Sequence, residues 1–309
     1  SFYTNREDTI AKQDMTVELS RINLKEFRRI LPYMPDMEGW IGAEAHYIDS
    51  GPYMMVSSDL RIDEFKYEGS ALGNWELGGV YLPGEAKDHH LDAYIRHDGE
   101  EIAHLGGIYL PAEEGTGSLS ADIAFEHFPL NVANPFVPDR MVELDGDIDG
   151  TLSMKGDPAK PLLNGELALD SVTFFMPEMS AMFRFDNEPV QVVNSKMMFK
   201  EFDIFTKGKT PFTINGEVAF SDLERTAVNL KMHAENYELL NAPRTKRAMV
   251  YGKMYVDFNA TLRGPVEELV MRGNMNILGK TNVTYVLKDS PLTVNDRLGD
   301  MVTFVNFNF

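Results

Sequence analysis

Lys253-Met254-Tyr255-Val256-Asp257-Phe258-Asn259-Ala260-Thr261-Leu262 sets the fold class. Met254, Val256, Phe258, Ala260 and Leu262 take every second place, and Lys253, Tyr255, Asp257, Asn259 and Thr261 fill the gaps. Successive side chains of an extended strand point to opposite faces, so the pattern gives one apolar and one wetted face. Val228, Leu230 and Met232 alternate in the same way with Asn229, Lys231 and His233, as do Leu119, Ala121, Ile123 and Phe125 with Ser120, Asp122, Ala124 and Glu126. Turn residues (Gly, Pro, Asn, Asp) recur roughly every 8–14 residues, the spacing of an all-β antiparallel chain. One short helix is expected at Leu24 to Leu31, with Asn23 as its cap and Pro32 as its stop.

Working outward, the chain repeats itself. Leu77-Gly78-Gly79-Val80-Tyr81-Leu82-Pro83 returns 28 positions later as Leu105-Gly106-Gly107-Ile108-Tyr109-Leu110-Pro111. A longer period joins a strand, an irregular Leu- and Pro-containing stretch, a glycine, another strand and a Gly–Pro-type corner. Its glycines are Gly39, Gly146 and Gly252, which are 107 and 106 residues apart. Its corners are Gly51-Pro52, Gly156-Asp157-Pro158 and Gly264-Pro265, and Gly165 and Gly273 each follow the last two by nine. The expected organisation is therefore one continuous repeat-built segment, 1–309, with approximate repeats 15–118, 119–227 and 228–309.

A long sheet with one apolar face must cover that face. It can fold into an elongated trough lined by its own apolar residues, or divide into ordinary β-sandwiches in a row. Periodicity leaves both open. Eighteen methionines add soft, adaptable apolar surface, which suits either core filling or variable apolar partners.

Composition removes other classes of function. With 29 Lys+Arg against 48 Asp+Glu the formal charge is −19, the wrong sign for a nucleic-acid partner. There is no cysteine, hence no disulfide, thiolate metal site or Cys nucleophile. No run of about 18 apolar residues spans a bilayer, and Ser1 to Asp14 is too polar for a signal peptide. The closing Val302-Thr303-Phe304-Val305-Asn306-Phe307-Asn308-Phe309 reads as a strand cut in the middle, as in a piece of a longer protein.

Leu144-Asp145-Gly146-Asp147-Ile148-Asp149-Gly150-Thr151-Leu152-Ser153-Met154-Lys155-Gly156-Asp157-Pro158, continuing through Gly165-Glu166-Leu167-Ala168-Leu169, resembles the TamB branch of the AsmA-like bacterial envelope proteins, the translocation and assembly module. Asn215-Gly216-Glu217-Val218-Ala219-Phe220, Gly264-Pro265 to Ile277, and Asp296-Arg297-Leu298-Gly299-Asp300-Met301-Val302-Thr303-Phe304 follow the same glycine-punctuated strand grammar. The resemblance runs from about Asp139 to the end and is weaker before it. It implies a curved antiparallel sheet folded into a trough, a β-taco, with an apolar groove. It also implies a periplasmic location, an inner-membrane anchor on a segment absent here, an outer-membrane barrel protein as partner, and phospholipid acyl chains as cargo.

The physics of such a conduit needs no catalytic residue, metal or cofactor. Water exposure costs about 0.8 kcal/mol per methylene, roughly 12 kcal/mol for a chain of about 15. An evenly apolar lining removes that cost without creating a deep well. The expected lining residues are Val17, Leu19, Ile123, Phe125, Leu167, Leu169, Val218, Phe220, Val228, Leu230, Met232, Val256, Phe258, Leu262, Met275, Ile277, Val283, Tyr285 and Leu287. A rival reading is a chaperone or assembly factor that adds a client strand to an open sheet edge.

An enzyme is not expected. The chain has no Gly-x-Ser-x-Gly elbow, His-Glu-x-x-His motif or phosphate loop. His90, His97 and His104 are spaced by seven, which alternates faces on extended chain and does not gather a metal. Asp145-Gly146-Asp147-Ile148-Asp149-Gly150 imitates a calcium loop but lacks the later bidentate Glu. Arg244-Thr245-Lys246-Arg247 is a basic cluster on an acidic background, read as a solvated loop or as a headgroup contact.

Overall fold

Alternation and turn chemistry give strands almost throughout. The computed structural model describes residues 2–4, 13–31, 33–49, 54–84, 88–112, 115–137, 141–177, 180–221, 225–244 and 250–286. The strands are β1 (Phe2–Thr4), β2 (Gln13–Asn23), β3 (Met37–Asp49), β4 (Met54–Tyr67), β5 (Ser70–Pro83), β6 (His89–His97), β7 (Glu100–Leu110), β8 (Ser118–Pro129) and β9 (Glu143–Gly156). They continue as β10 (Leu162–Met176), β11 (Ala181–Phe185), β12 (Val190–Val192), β13 (Lys196–Phe205), β14 (Phe212–Ala219), β15 (Ala227–Ala242), β16 (Val250–Pro265), β17 (Val270–Ile277) and β18 (Asn282–Tyr285). They join one antiparallel sheet, and the all-β expectation holds.

The expected helix is a 3-10 turn, Leu24–Glu26, running into one α-turn, Phe27–Ile30. Asn23 caps it: its Oδ1 accepts the Lys25 N–H at 3.0 Å. Pro32 lies outside the described residues. The second repeat also has a 3-10 turn at the equivalent place, Leu130–Phe136, whereas in the third Leu239–Ala242 continues β15.

The chain forms two compact units. The first comprises Ser1–Pro135, Ile148–Ala168 and Gln191–Lys196; the second comprises Phe136–Asp147, Leu169–Val190 and the described residues from Met197 onward. In the first, β2 to β8 form a meander in which each strand pairs antiparallel with the next. The two Leu-Gly-Gly copies lie in β5 and β7, on either side of β6. Gly78 makes room for an aromatic ring, since a Cβ there would sit 2.4 Å from Tyr94 Cζ.

In the second unit β14, β15, β16 and β17 pair in sequence, and β18 pairs with β16 beside β17. The repeat glycine of β16, Gly252, holds φ +116, and a Cβ there would lie 2.1 Å from the Asn282 carbonyl oxygen. The corresponding Gly146 of β9 holds φ +95, with the Ser171 carbonyl 2.7 Å from the same point. The long period thus marks places where only glycine lets a neighbouring strand approach.

Candidate functional site

Directly opposed residues of paired strands lie on one face of a sheet, so register assigns every side chain to a face. In the first unit one row across β2–β8 reads Leu19, Ala43, Leu60, Leu77, Ile95, Ala103, Phe125. The next reads Val17, Ala45, Ser58, Gly79, Ala93, Leu105, Ile123, and a third reads Met15, Tyr47, Val56, Tyr81, Leu91, Gly107, Ala121. From β3 to β6 the middle row is small (Ala45, Ser58, Gly79, Ala93) between bulkier rows. The result is a furrow that runs across the strands, along the meander. It is open to solvent: Leu19 is 37% exposed and Leu77 38%. Val17, Ile123 and Phe125 are half-buried.

The opposite face of this unit carries polar rows, with exposed Val80, Leu82 and Ile108 beside them. One row reads Glu18, Glu44, Asp59, Gly78, Tyr94, His104. Beside it Arg61, Glu76, Arg96 and Glu101 alternate in sign over four strands. Arg61 Nη2 meets Glu76 Oε2 at 3.0 Å, Arg96 Nη1 meets Glu76 Oε1 at 3.2 Å, and Arg96 Nη2 reaches Glu101 Oε2 at 3.4 Å. The Tyr94 hydroxyl lies 2.9 Å from Asp59 Oδ1 and 3.0 Å from Glu76 Oε1. Its bond to Asp59, burial and the bond to Glu76 push its phenol up to about 12. The Tyr94 bond, with Arg61 and Arg96, holds the Glu76 carboxyl below the usual range against a partly opposing burial. These rows stay wet while the rows behind them stay greasy.

Near the β5–β6 end, the apolar face deepens into a depression of about 600 Å3 lined by Tyr81, Leu91, Tyr109, Thr116, Leu119, Pro158 and Ala159. The Tyr81 hydroxyl bonds His89 Nδ1, and the Tyr109 hydroxyl donates to the Thr116 carbonyl at 2.9 Å. Burial, with the neighbouring Tyr109, raises the Tyr81 phenol.

The second unit divides its apolar face between a sealed part and an open part. Phe212, Ala234, Phe258 and Met275 form one row, Gly216, Leu230, Leu262 and Met271 another, and Val218, Val228 and Gly264 a third. Tyr237, Val256 and Ile277 follow, then Gly252 with Ala242 and Val283, then Val250 with Tyr285. At its centre Ala181, Phe183, Val190, Phe202 and Ile204 close against Ala234, Tyr237, Leu240, Ala242 and Val256. Phe174 stacks on Phe183 at 4.5 Å, and Leu169 and Phe258 pack around this core. Burial pushes the Tyr237 phenol up.

The expected lining residues therefore divide three ways. Val256, Met232 and Leu167 are buried, at 2%, 8% and 9% exposure. Val218, Phe220, Val228, Leu230, Phe258, Leu262, Leu169 and Val283 are half-buried. Met275, Ile277 and Tyr285 are more than half exposed, and Leu287 lies outside the described residues. Sequence reasoning overlooked the first unit's Ala43, Leu60, Leu77, Ile95 and Leu105, although the Leu-Gly-Gly repeat carries two of them. It also overlooked Tyr237 and Leu240, the best-buried large side chains of β15.

The remaining motifs are placed as follows. His90 and His104 stand on the polar face, while His97 packs on Trp75 with ring centroids 4.7 Å apart. Asp145, Asp147 and Asp149 belong to strand β9 rather than a loop, and Asp149 Oδ1 accepts the His127 N–H at 2.8 Å. Arg244 lies over the Tyr251 ring at 5.6 Å, and Thr245, Lys246 and Arg247 lie outside the described residues. Among the described residues no helix is long and apolar enough to cross a membrane. No family model, curated protein or solved structure matches the chain.

Proposed function

We propose that the chain is a periplasmic segment of a lipid conduit, carrying phospholipid acyl chains along its apolar sheet face between inner and outer membranes. The observation that carries this reading is the solvent-open furrow of the first unit, floored by Ala45, Ser58, Gly79 and Ala93 and walled by Leu60, Leu77, Tyr81 and Leu91. A sheet face left that greasy and that accessible needs an apolar occupant. An acyl chain gains roughly 0.8 kcal/mol for each methylene it withdraws from water. No side chain has to be transformed, so the chain acts as a surface, not an enzyme. The resemblance to the TamB branch supports the same cargo, an inner-membrane anchor outside this segment, and an outer-membrane barrel partner.

A second reading is favoured by one strand. β17, Val270–Ile277, is exposed at every position and pairs with β16. That suits strand addition by a client protein. Native mass spectrometry of the purified chain separates the two. Bound phospholipid, lost in Leu77→Glu, supports the conduit; a chain free of lipid that binds extended client peptides supports strand addition.

A further inference from the structure

The β9–β10 turn borders an apolar depression of the first unit. β5 and β9 are four strands apart, with β6, β7 and β8 between them. At about 4.8 Å per strand that is about 19 Å. Pro158 and Ala159 of the turn line one depression of about 600 Å3 with Tyr81 of β5, Leu91 of β6, Tyr109 of β7 and Leu119 of β8, a patch that runs across the strands. The turn therefore borders the far end of an apolar patch on the first unit's face.

One side-chain bond ties the turn to its neighbour. Thr116 Oγ1 donates to Asp157 Oδ1 at 2.8 Å, and the Ala159 N–H donates to the same oxygen at 2.9 Å. The Lys160 N–H closes the turn on the Asp157 carbonyl at 3.0 Å. The Tyr109 hydroxyl, on the opposite wall, holds the Thr116 carbonyl at 2.9 Å. The ring of Pro158 stiffens the loop.

We propose that the Asp157–Lys160 turn is a strap that retains a lipid tail at this end of the apolar face, with the Thr116–Asp157 bond as its latch. This rests on the lipid-carrying reading above. Tyr81, Leu91 and Leu119 supply the greasy wall, and the latch sits at the rim, where water can compete for it.

The test uses the whole chain loaded with a fluorescently tailed phosphatidylethanolamine, whose release into phosphatidylcholine vesicles is followed by stopped flow. Thr116→Val removes the latch and keeps the shape. It should raise the release rate about two- to tenfold with loading unchanged, the factor expected of one hydrogen bond. Ala159→Trp fills the depression and should likewise raise the release rate. Release rates unchanged in both variants overturn the strap. The lipid-carrying reading then still stands if the wild type loads and Leu77→Glu does not. A wild-type chain that takes up no lipid overturns both.

Discussion

The backbone N–H of Asn236 donates to Asp257 Oδ1 on the neighbouring strand at 2.7 Å, and Asn236 holds a left-handed φ of +51. This pair fixes a bulge in β15, where register slips between Ala234 and Tyr237. The bulge turns Tyr237 onto the apolar face, into the core beside Val256. The device recurs: Glu64 donates to Asn74 at 2.9 Å, His127 to Asp149 at 2.8 Å and Glu201 to Asn215 at 2.9 Å, all from left-handed residues. Asp257→Ala should lower unfolding free energy by about 1–2 kcal/mol, the value of a charge-assisted bond to backbone at an accessible site. Urea titration checks this, with Asp257→Asn expected to retain most of the stability.

Gly252→Ala should cost more. The new methyl would lie 2.1 Å from the Asn282 oxygen, at a φ of +116 that L-residues avoid. Either β18 leaves β16 or the backbone shifts, and a loss of about 2–4 kcal/mol is expected. Hydrogen exchange should show lost protection at Asn282–Tyr285 of β18 before β16.

Two substitutions separate an open lining from a sealed core. Ala45→Phe adds apolar surface but fills the furrow floor, so it should reduce lipid loading several-fold while leaving the thermal midpoint nearly unchanged. Val256→Asp puts a carboxylate at a site 2% exposed. It should destabilise the second unit by more than about 3 kcal/mol, and any effect on lipid would follow from unfolding. Circular dichroism melts alongside lipid counts distinguish the two.

The polar face sets a pH dependence. The Glu76 carboxyl is held below its ordinary value of 4.5 when folded. Its contribution is present above that value and disappears as pH falls through the lower folded one. Tyr94→Phe removes the largest cause, so the variant should lose less stability than wild type between about pH 5 and pH 3. At the alkaline end the Tyr94 phenol sits at about 12 against an ordinary 10.0. Its contribution is complete below 10 and fades as pH rises through about 12, and Tyr94→Phe should flatten that loss. Urea midpoints across pH measure both.

Much of the fold was legible because period two is a strong constraint. Met254 to Leu262 reads as a strand with two different faces, and pairing with β15 and β17 puts its even-numbered residues on one of them. What resisted reading was the bulge. Extended from Val228, Leu230, Met232 and Ala234, strict alternation passes to Asn236 and Glu238 and misses Tyr237. The signal was a change of apolar spacing from two to three at 234, 237 and 240, with Asp257 opposite to hold it. Nor did alternation distinguish open from sealed. Leu19 and Val256 occupy the same pattern, yet one is exposed and the other enclosed, because enclosure depends on Phe183 and Ile204, distant in sequence.

The central claim is that cargo lies on the apolar face of the first unit. Photo-crosslinking with a diazirine-tailed phospholipid, mapped by peptide mass spectrometry, tests it most directly. Adducts should fall on Leu19, Leu60, Leu77, Ile95 and Phe125 and spare Thr16, Ser57, Asp92 and Asp122 of the reverse face. Adducts distributed equally over both faces, or confined to β17, would contradict it.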